Sequence, residues 1–163
     1  MKTARNRNNS AVTLEAGDRA ILRELQRNGR ATNAELSAVS HMSESACFRR
    51  LKKLEDSGVI ENYTVRISPK AIGLNLTAVI SISLAKQSDD DVVKFEQAVA
   101  KIPEVLECYL MTGTPDYFLR VAVADLDSLE KLYATALRRL PGVSGFSSNL
   151  VLRPVVNKAH LPL

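Results

Sequence analysis

The chain is 163 residues long, 45% hydrophobic and 25% charged, with a formal net charge of +4 at pH 7 and a pI near 9.2. That length holds one domain or two small ones, the apolar fraction supports packed cores, and the mild cationic excess permits nucleic acid as a partner. The longest nearly apolar run, Leu76 to Ala85, is too short for a bilayer span of about 20 residues, and the basic start Met1 to Asn9 leads into no apolar signal-peptide core.

Charge is uneven along the chain. Residues 1–62 hold 11 Lys and Arg against 8 Asp and Glu, and the remainder 11 against 10. Cys47 and Cys108 sit in apolar patterns in different halves, which predicts two buried thiols in a reducing cytoplasm rather than a disulfide or a metal site. Residues 1–12, rich in Asn, Arg and Ser, read as a basic arm without fixed structure. Lys2, Arg5 and Arg7 there are either an ordinary charged terminus or phosphate contacts.

A first helix is expected over Thr13 to Asn28, with Ile21, Leu22 and Leu25 as its apolar stripe and Asn28-Gly29 as its stop. A second starts near Thr32 or Asn33 with Leu36 and Val39 spaced i, i+3. Ser40, His41 and Met42 form a connector about as short as the 3 to 4 residues of a helix-turn-helix. Ser43 is placed as the N-cap of a third helix, and Ala46 three residues on cannot complete a capping box. Cys47, Leu51 and Leu54 share one face of that helix, so Ser45, Arg49, Lys52 and Asp56 point away from it. Gly58 stands where a left-handed residue ends it.

The third helix can enter a major groove. Ser43, Glu44, Ser45 and Arg49, near its start, are then placed to meet base edges, while Arg50, Lys52 and Lys53 suit phosphates. The plainer alternatives are a solvated charged face, a Glu44 that only complements the helix N-terminus, and a Phe48 that packs under the helix. Packing is the expectation for Phe48.

Beyond this, Tyr63, Val65 and Ile67 alternate with Thr64 and Arg66 as a strand does, and Ser68-Pro69 opens a linker reaching Leu74. Ile80, Ile82 and Leu84 alternate with serines in the next strand. The acidic start Asp89 to Asp91 opens a helix bearing Val92, Phe95, Val99 and Ile102, and helix-start electrostatics explains the three aspartates without a metal. Lys101-Ile102-Pro103-Glu104-Val105 is echoed by Arg139-Leu140-Pro141-Gly142-Val143, each proline stopping a helix and each valine opening a strand, at Val105 to Met111 and Val143 to Leu152. Tyr117 to Val123 is a further strand and Asp127 to Arg139 a further helix. The order strand, helix, strand, strand, helix, strand predicts a ferredoxin-like βαββαβ unit. Its two helices leave one sheet face open, so Ile80, Tyr109, Leu119, Val121 or their neighbours are expected to be exposed in a monomer and covered in a homodimer.

The fold class is therefore α+β, with an arm at 1–12, a helix-turn-helix domain at 13–62, a linker strand and hinge at 63–75, the βαββαβ domain at 76–155 and a tail at 156–163. No catalytic constellation is present: His41 and His160 are far apart, and no phosphate-cradling, CxxC, HExxH or nucleophile-elbow motif occurs. The chain is expected to be neither an enzyme nor a holder of a cofactor or metal. The polar loop Thr112-Gly113-Thr114-Pro115-Asp116-Tyr117 reads first as a hairpin turn and second as a pocket for a zwitterion.

Asp18 with Ile21, Leu22 and Leu25, Asn33 to Leu36, Ser43 to Cys47, Arg50, Leu51 and Leu54, Gly58 to Ile60 and Tyr63, then Gly113, Asp116, Tyr117 and Leu140 to Val143, together resemble the Lrp/AsnC family of prokaryotic transcription regulators. The resemblance covers roughly residues 13 to 155. It implies double-stranded DNA as partner, an amino-acid-sensing second domain, a homodimer assembling to an octamer, and a cytoplasmic, nucleoid-associated protein with no membrane partner. Carried over, it makes Met111, Thr112, Gly113, Thr114, Pro115, Asp116 and Tyr117 the effector loop. The common family form is Gly-Asp-X-Asp-Tyr. Here Thr114 and Pro115 stand between Gly113 and Asp116, so one carboxylate is missing, the loop is stiffer and leucine is not implied as the effector.

Overall fold

A computed structural model describes residues 12–86, 88–158 and 160–163. Lys2, Arg5 and Arg7 lie outside the described residues. The chain divides into two compact units, one of Met1–Arg66 together with Val156–Leu163 and the other of Ile67–Val155. The segment expected to be a separate tail thus joins the first unit.

In the first unit, α1 (Ala16–Arg27), α2 (Asn33–Ser40) and α3 (Glu44–Asp56) pack around Ile21, Leu22, Leu36, Cys47 and Leu54. The Asp18 carboxylate accepts the Glu15 N–H at 2.9 Å, closing the first turn of α1. Thr32 and Glu35 cap α2 reciprocally: the Thr32 hydroxyl accepts from the Glu35 N–H, and the Glu35 carboxylate accepts from the Thr32 N–H at 2.7 Å. That backbone bond holds the Glu35 carboxyl below its ordinary range. His41 ends α2 in the left-handed region, at φ 54°, and the Met42 N–H reaches back to the Ser37 carbonyl. Ser43 caps α3 as expected, its hydroxyl accepting from the Ala46 N–H at 3.3 Å.

Two inward assignments do not hold. Val39 is 41% exposed and Phe48 59% exposed. The buried side of the short α2 is made by Leu36, Ser37 and Ser40, which leaves Val39 outward, and Phe48 lies three residues from Ser45 and four from Lys52, on the solvent side of α3. No strand forms at 63–67, where the side chains alternate correctly but the backbone has no ladder partner among the described residues. Tyr63 instead donates its hydroxyl to Glu55 Oε1 at 2.9 Å, and burial, ahead of that bond, raises its pKa to about 12. A short 3-10 helix, Lys70–Ile72, ends at Gly73 (φ 84°) inside the expected linker.

The second unit carries β1 (Leu76–Leu84), α4 (Asp89–Val99), β2 (Val105–Leu110), β3 (Tyr117–Val123), α5 (Leu126–Thr135) and β4 (Val143–Leu150). The sheet order is β2-β3-β1-β4 and every pairing is antiparallel, as the βαββαβ pattern requires. Ser88 caps α4 and Asp125 caps α5. The core joins Ala78, Ile80, Ile82 and Leu84 of β1 and Tyr117, Leu119, Val121 and Val123 of β3 to Phe95, Val99, Leu129 and Leu132 of the helices.

The open sheet face is carried by Tyr109 and by the neighbours of the other residues named, not by those residues themselves. Ile80, Leu119 and Val121 are fully buried on the helix side, and of the four residues named only Tyr109 is exposed. Side chains alternate along a strand, so the opposite face carries Val79, Ser81 and Ser83 of β1, Phe118 and Arg120 of β3 and Glu107 and Tyr109 of β2, with Arg120 ion-paired to Glu107.

Candidate nucleic-acid interface and ligand loop

Alpha3 owes its orientation to polar fastenings along its length. At its start, Asn33 of α2 donates its side-chain amide to the Glu44 carbonyl at 3.0 Å, tying the two helices across the turn. Further along, Arg50 turns back to α1: Nη1 donates to Asp18 Oδ1 and Oδ2 at 3.3 and 3.2 Å, and Nη2 donates to Glu15 Oε2. The bond from Arg50 is the main reason the Glu15 carboxyl sits below its ordinary range, and the bond to Glu15 the main reason the guanidinium sits above its own. Asp18 is buried, and its two oxygens take both the Glu15 N–H and the Arg50 guanidinium.

Arg50, expected to suit a phosphate, is here engaged as a clamp between α1 and α3. Its periodicity gave no hint of this, because Asp18 lies 32 residues away and only tertiary packing brings them together. Ser43, Glu44, Ser45, Arg49, Lys52 and Lys53 are all exposed on the first unit's surface. Lys52 faces Asp56 at 3.8 Å in an i, i+4 pair with both side chains more than 60% exposed. Such a pair is worth little in water and opens easily to another anion. Sequence reasoning missed the positioning residues Glu15 and Asn33 and the exposure of Phe48, an aromatic ring on the same surface.

The loop between β2 and β3 is built differently from a plain hairpin. Gly113 sits at φ 95°, which a Cβ would strain, and the Thr114–Pro115 peptide is cis. The Met111 N–H donates to the Asp116 carbonyl at 2.8 Å. Asp116 Oδ2 accepts the Leu84 N–H at 2.6 Å, so this carboxylate secures the end of β1. Tyr117 lies beneath the loop, fully buried, its ring 4.5 Å from Phe95 and its hydroxyl donating to Glu96 Oε1 at 3.1 Å. Burial, then that bond, raises its pKa to about 12.

A hollow of about 450 Å³ opens over these residues, lined by Leu84, Val92, Leu110, Met111, Gly113, Thr114, Asp116 and Tyr117. It lies within the roughly 300–1,000 Å³ range typical of small-molecule sites. Five of the seven expected loop residues line it; Thr112 and Pro115 do not. Leu84 and Val92 were not foreseen there, since they arrive from β1 and α4. The wall is apolar on the Leu84, Val92 and Leu110 side and polar at Thr114 and Asp116. Among the described residues no group of three or more His, Cys, Asp and Glu could hold a metal ion.

Comparison with known proteins matches both halves in order. Residues 18–61 match a family described as winged helix-turn-helix DNA-binding, and residues 77–161 match the Lrp/AsnC ligand binding domain. No strand forms among the described residues of the first unit, so the wing of that description has no ladder here. The leucine-responsive regulatory protein of Haemophilus influenzae is 37% identical over 92% of this chain and 90% of its own length. The transcriptional regulator AzlB of Bacillus subtilis is 31% identical over 93% and 97%. A transcriptional regulator of Neisseria meningitidis, solved as its L-Met complex, superposes with a TM-score of 0.87 at 38% identity, over 92% of this chain and 97% of that one. A feast or famine regulatory protein of M. tuberculosis complexed with L-methionine gives 0.79 at 35%, over 92% and 100%. The two domains thus match in order along nearly the whole length, and the chain belongs to the Lrp/AsnC family of transcription regulators.

Proposed function

We propose that α3 is the recognition helix of a sequence-specific operator-binding regulator. Ser43, Glu44, Ser45 and Arg49 meet base edges, and Lys52 and Lys53 meet phosphates. The observation that carries this reading is that all six side chains are exposed on one helix while Arg50, from the same basic cluster, is spent on holding that helix in place. Glu44 is suited to accept from a cytosine amino group, and Phe48 to touch a thymine methyl. Binding of either kind occurs in the cytoplasm, at the nucleoid.

The effector is an α-amino acid with an apolar side chain, held at Met111 to Tyr117. The hollow offers an apolar wall for that side chain, and Thr114 and Asp116 offer polar atoms for the zwitterion. L-Methionine complexes of the two structural relatives support the class of ligand. The working form is a homodimer through the open sheet face, with four dimers closing into an octamer, and the effector acts by shifting the balance between assembly geometries that space the DNA-binding heads. The test is a thermal-shift panel of the twenty amino acids, followed by selection of bound duplexes with and without any hit. A ligand that binds only the native state raises its melting temperature. No shift from any amino acid removes the effector reading and leaves an architectural DNA-binding protein.

A further inference from the structure

Residues Val156–Leu163 belong to the first unit and are fastened to it at several points. Arg66 Nη1 donates to the Asn157 carbonyl at 3.0 Å. The Gln26 side-chain amide faces the Leu161 backbone on both sides, Nε2 donating to the Leu161 carbonyl at 3.3 Å and Oε1 accepting the Leu161 N–H. Arg23 completes the row, Nε and Nη2 both donating to the Leu163 oxygen at 3.0 and 2.8 Å. The Leu163 side chain packs against the cluster that contains Ile21, Leu22, Leu36, Cys47 and Leu54.

We propose that the α1 face bearing Arg23 and Gln26 is a docking surface for an extended peptide, and that its occupant is the chain's own segment 156–163. Three features distinguish this from a strand lying by chance on a helix. Arg23 and Gln26 are spaced i, i+3, so they stand one turn apart on one face of α1. They receive Leu161 and Leu163, alternate positions, which present their backbone groups to the same side in an extended chain. The amide of Gln26 matches both hydrogen-bonding groups of one residue, and the fork of Arg23 takes a single oxygen twice. Recognition is of backbone plus one apolar side chain, so the surface suits a leucine at position 163 and is indifferent to the side chain of Leu161, which is 72% exposed.

The segment acts on the scaffold of the DNA-binding unit rather than on its reading surface. Its bonds to side chains go to Arg23 and Gln26 of α1 and to Arg66, and none of these is an exposed cation of α3. Alpha1 is thereby held at its start by Arg50 and along its second half by the docked segment. This goes beyond the regulatory reading and stands whether or not an amino acid binds at the β2–β3 loop.

The test is hydrogen exchange on the full chain, comparing the wild type with the Arg23→Ala/Gln26→Ala double variant and with Leu163→Ser. In the wild type the Leu161 amide is expected to exchange about tenfold or more slowly than in a free peptide of the same sequence, as a docked segment in local opening equilibrium does. Both variants should restore the free-peptide rate, with Ile80 and Leu119 amides in the sheet unchanged. The variant Leu161→Ser, which alters only an exposed side chain, should keep the wild-type protection. An unprotected Leu161 amide in the wild type, or protection that survives in both Arg23→Ala/Gln26→Ala and Leu163→Ser, overturns the proposal.

Discussion

Substituting the four cations of α3 one at a time separates phosphate contacts from scaffold. Removing one phosphate-binding cation lowers the slope of log affinity against log salt by about 0.9, hence by about 1.8 in a dimer that uses two copies of the helix. Between about 50 and 200 mM salt that difference changes the fall in affinity by roughly 12-fold. Lys52→Ala and Lys53→Ala should show this reduced slope, because both side chains are exposed and Lys52 carries only the weak pair with Asp56. Arg49→Ala should weaken binding and also relax the preference at one base position. Arg50→Gln should weaken binding at every salt concentration with the slope preserved, because the guanidinium faces Asp18 and Glu15. Fluorescence anisotropy on a selected duplex across a salt series measures all four. A slope for Arg50→Gln that falls as far as those of Lys52→Ala and Lys53→Ala would refute the division of labour.

Asp116→Ala leaves the buried end of β1 with an unpaired Leu84 N–H, at a cost of about 1–3 kcal/mol, and should also abolish any thermal shift by an amino acid. Phe95→Ala removes a fully buried ring packed on Tyr117 and should cost about 3–5 kcal/mol in urea denaturation followed in the sheet unit. Ser43→Ala removes the α3 cap, destabilising the first unit by about 1 kcal/mol, and its melting curve reports this directly. The Glu107 carboxyl is held below its ordinary 4.5 chiefly by the bond from Arg120. A carboxyl depressed in the folded state stabilises above its unfolded value and loses that stabilisation as pH falls through the folded one. Melting temperature should therefore drop below pH 4.5 by more in the wild type than in Arg120→Gln, and equal drops would show that the pair contributes nothing.

The parts of the fold written in short-range patterns could be read from the chain, and the parts made by long-range packing could not. Ser43 before a helical stripe, the paired Ile-Pro and Leu-Pro stops, and the alternation at Ile80, Ile82 and Leu84 each depend on neighbours within a turn or a strand. They yielded the helices, the four strands and their order. The clamp from Arg50 to Asp18, the docking of Leu161 and Leu163 on α1, and the arrival of Leu84 and Val92 at the β2–β3 loop join residues far apart in sequence, with no local signal. At 63–67 the alternation was present, yet a strand needs a partner backbone as well as a pattern. Which of the alternating residues, Ile80 or its neighbours, would meet the helices stayed open, because period 2 says which residues share a side but not which side the helices take.

Cys47 sits at zero exposure on the inner side of α3, whereas Cys108 lies on the exposed edge strand of the other unit. Alkylating reagents attack thiolate that solvent can reach. In the native chain, therefore, Cys108 is the thiol they meet, slowed by the burial that pushes its pKa upward. Modification of Cys47 must wait until the three-helix core parts, so its labelling rate clocks local opening of the DNA-reading head without any introduced probe.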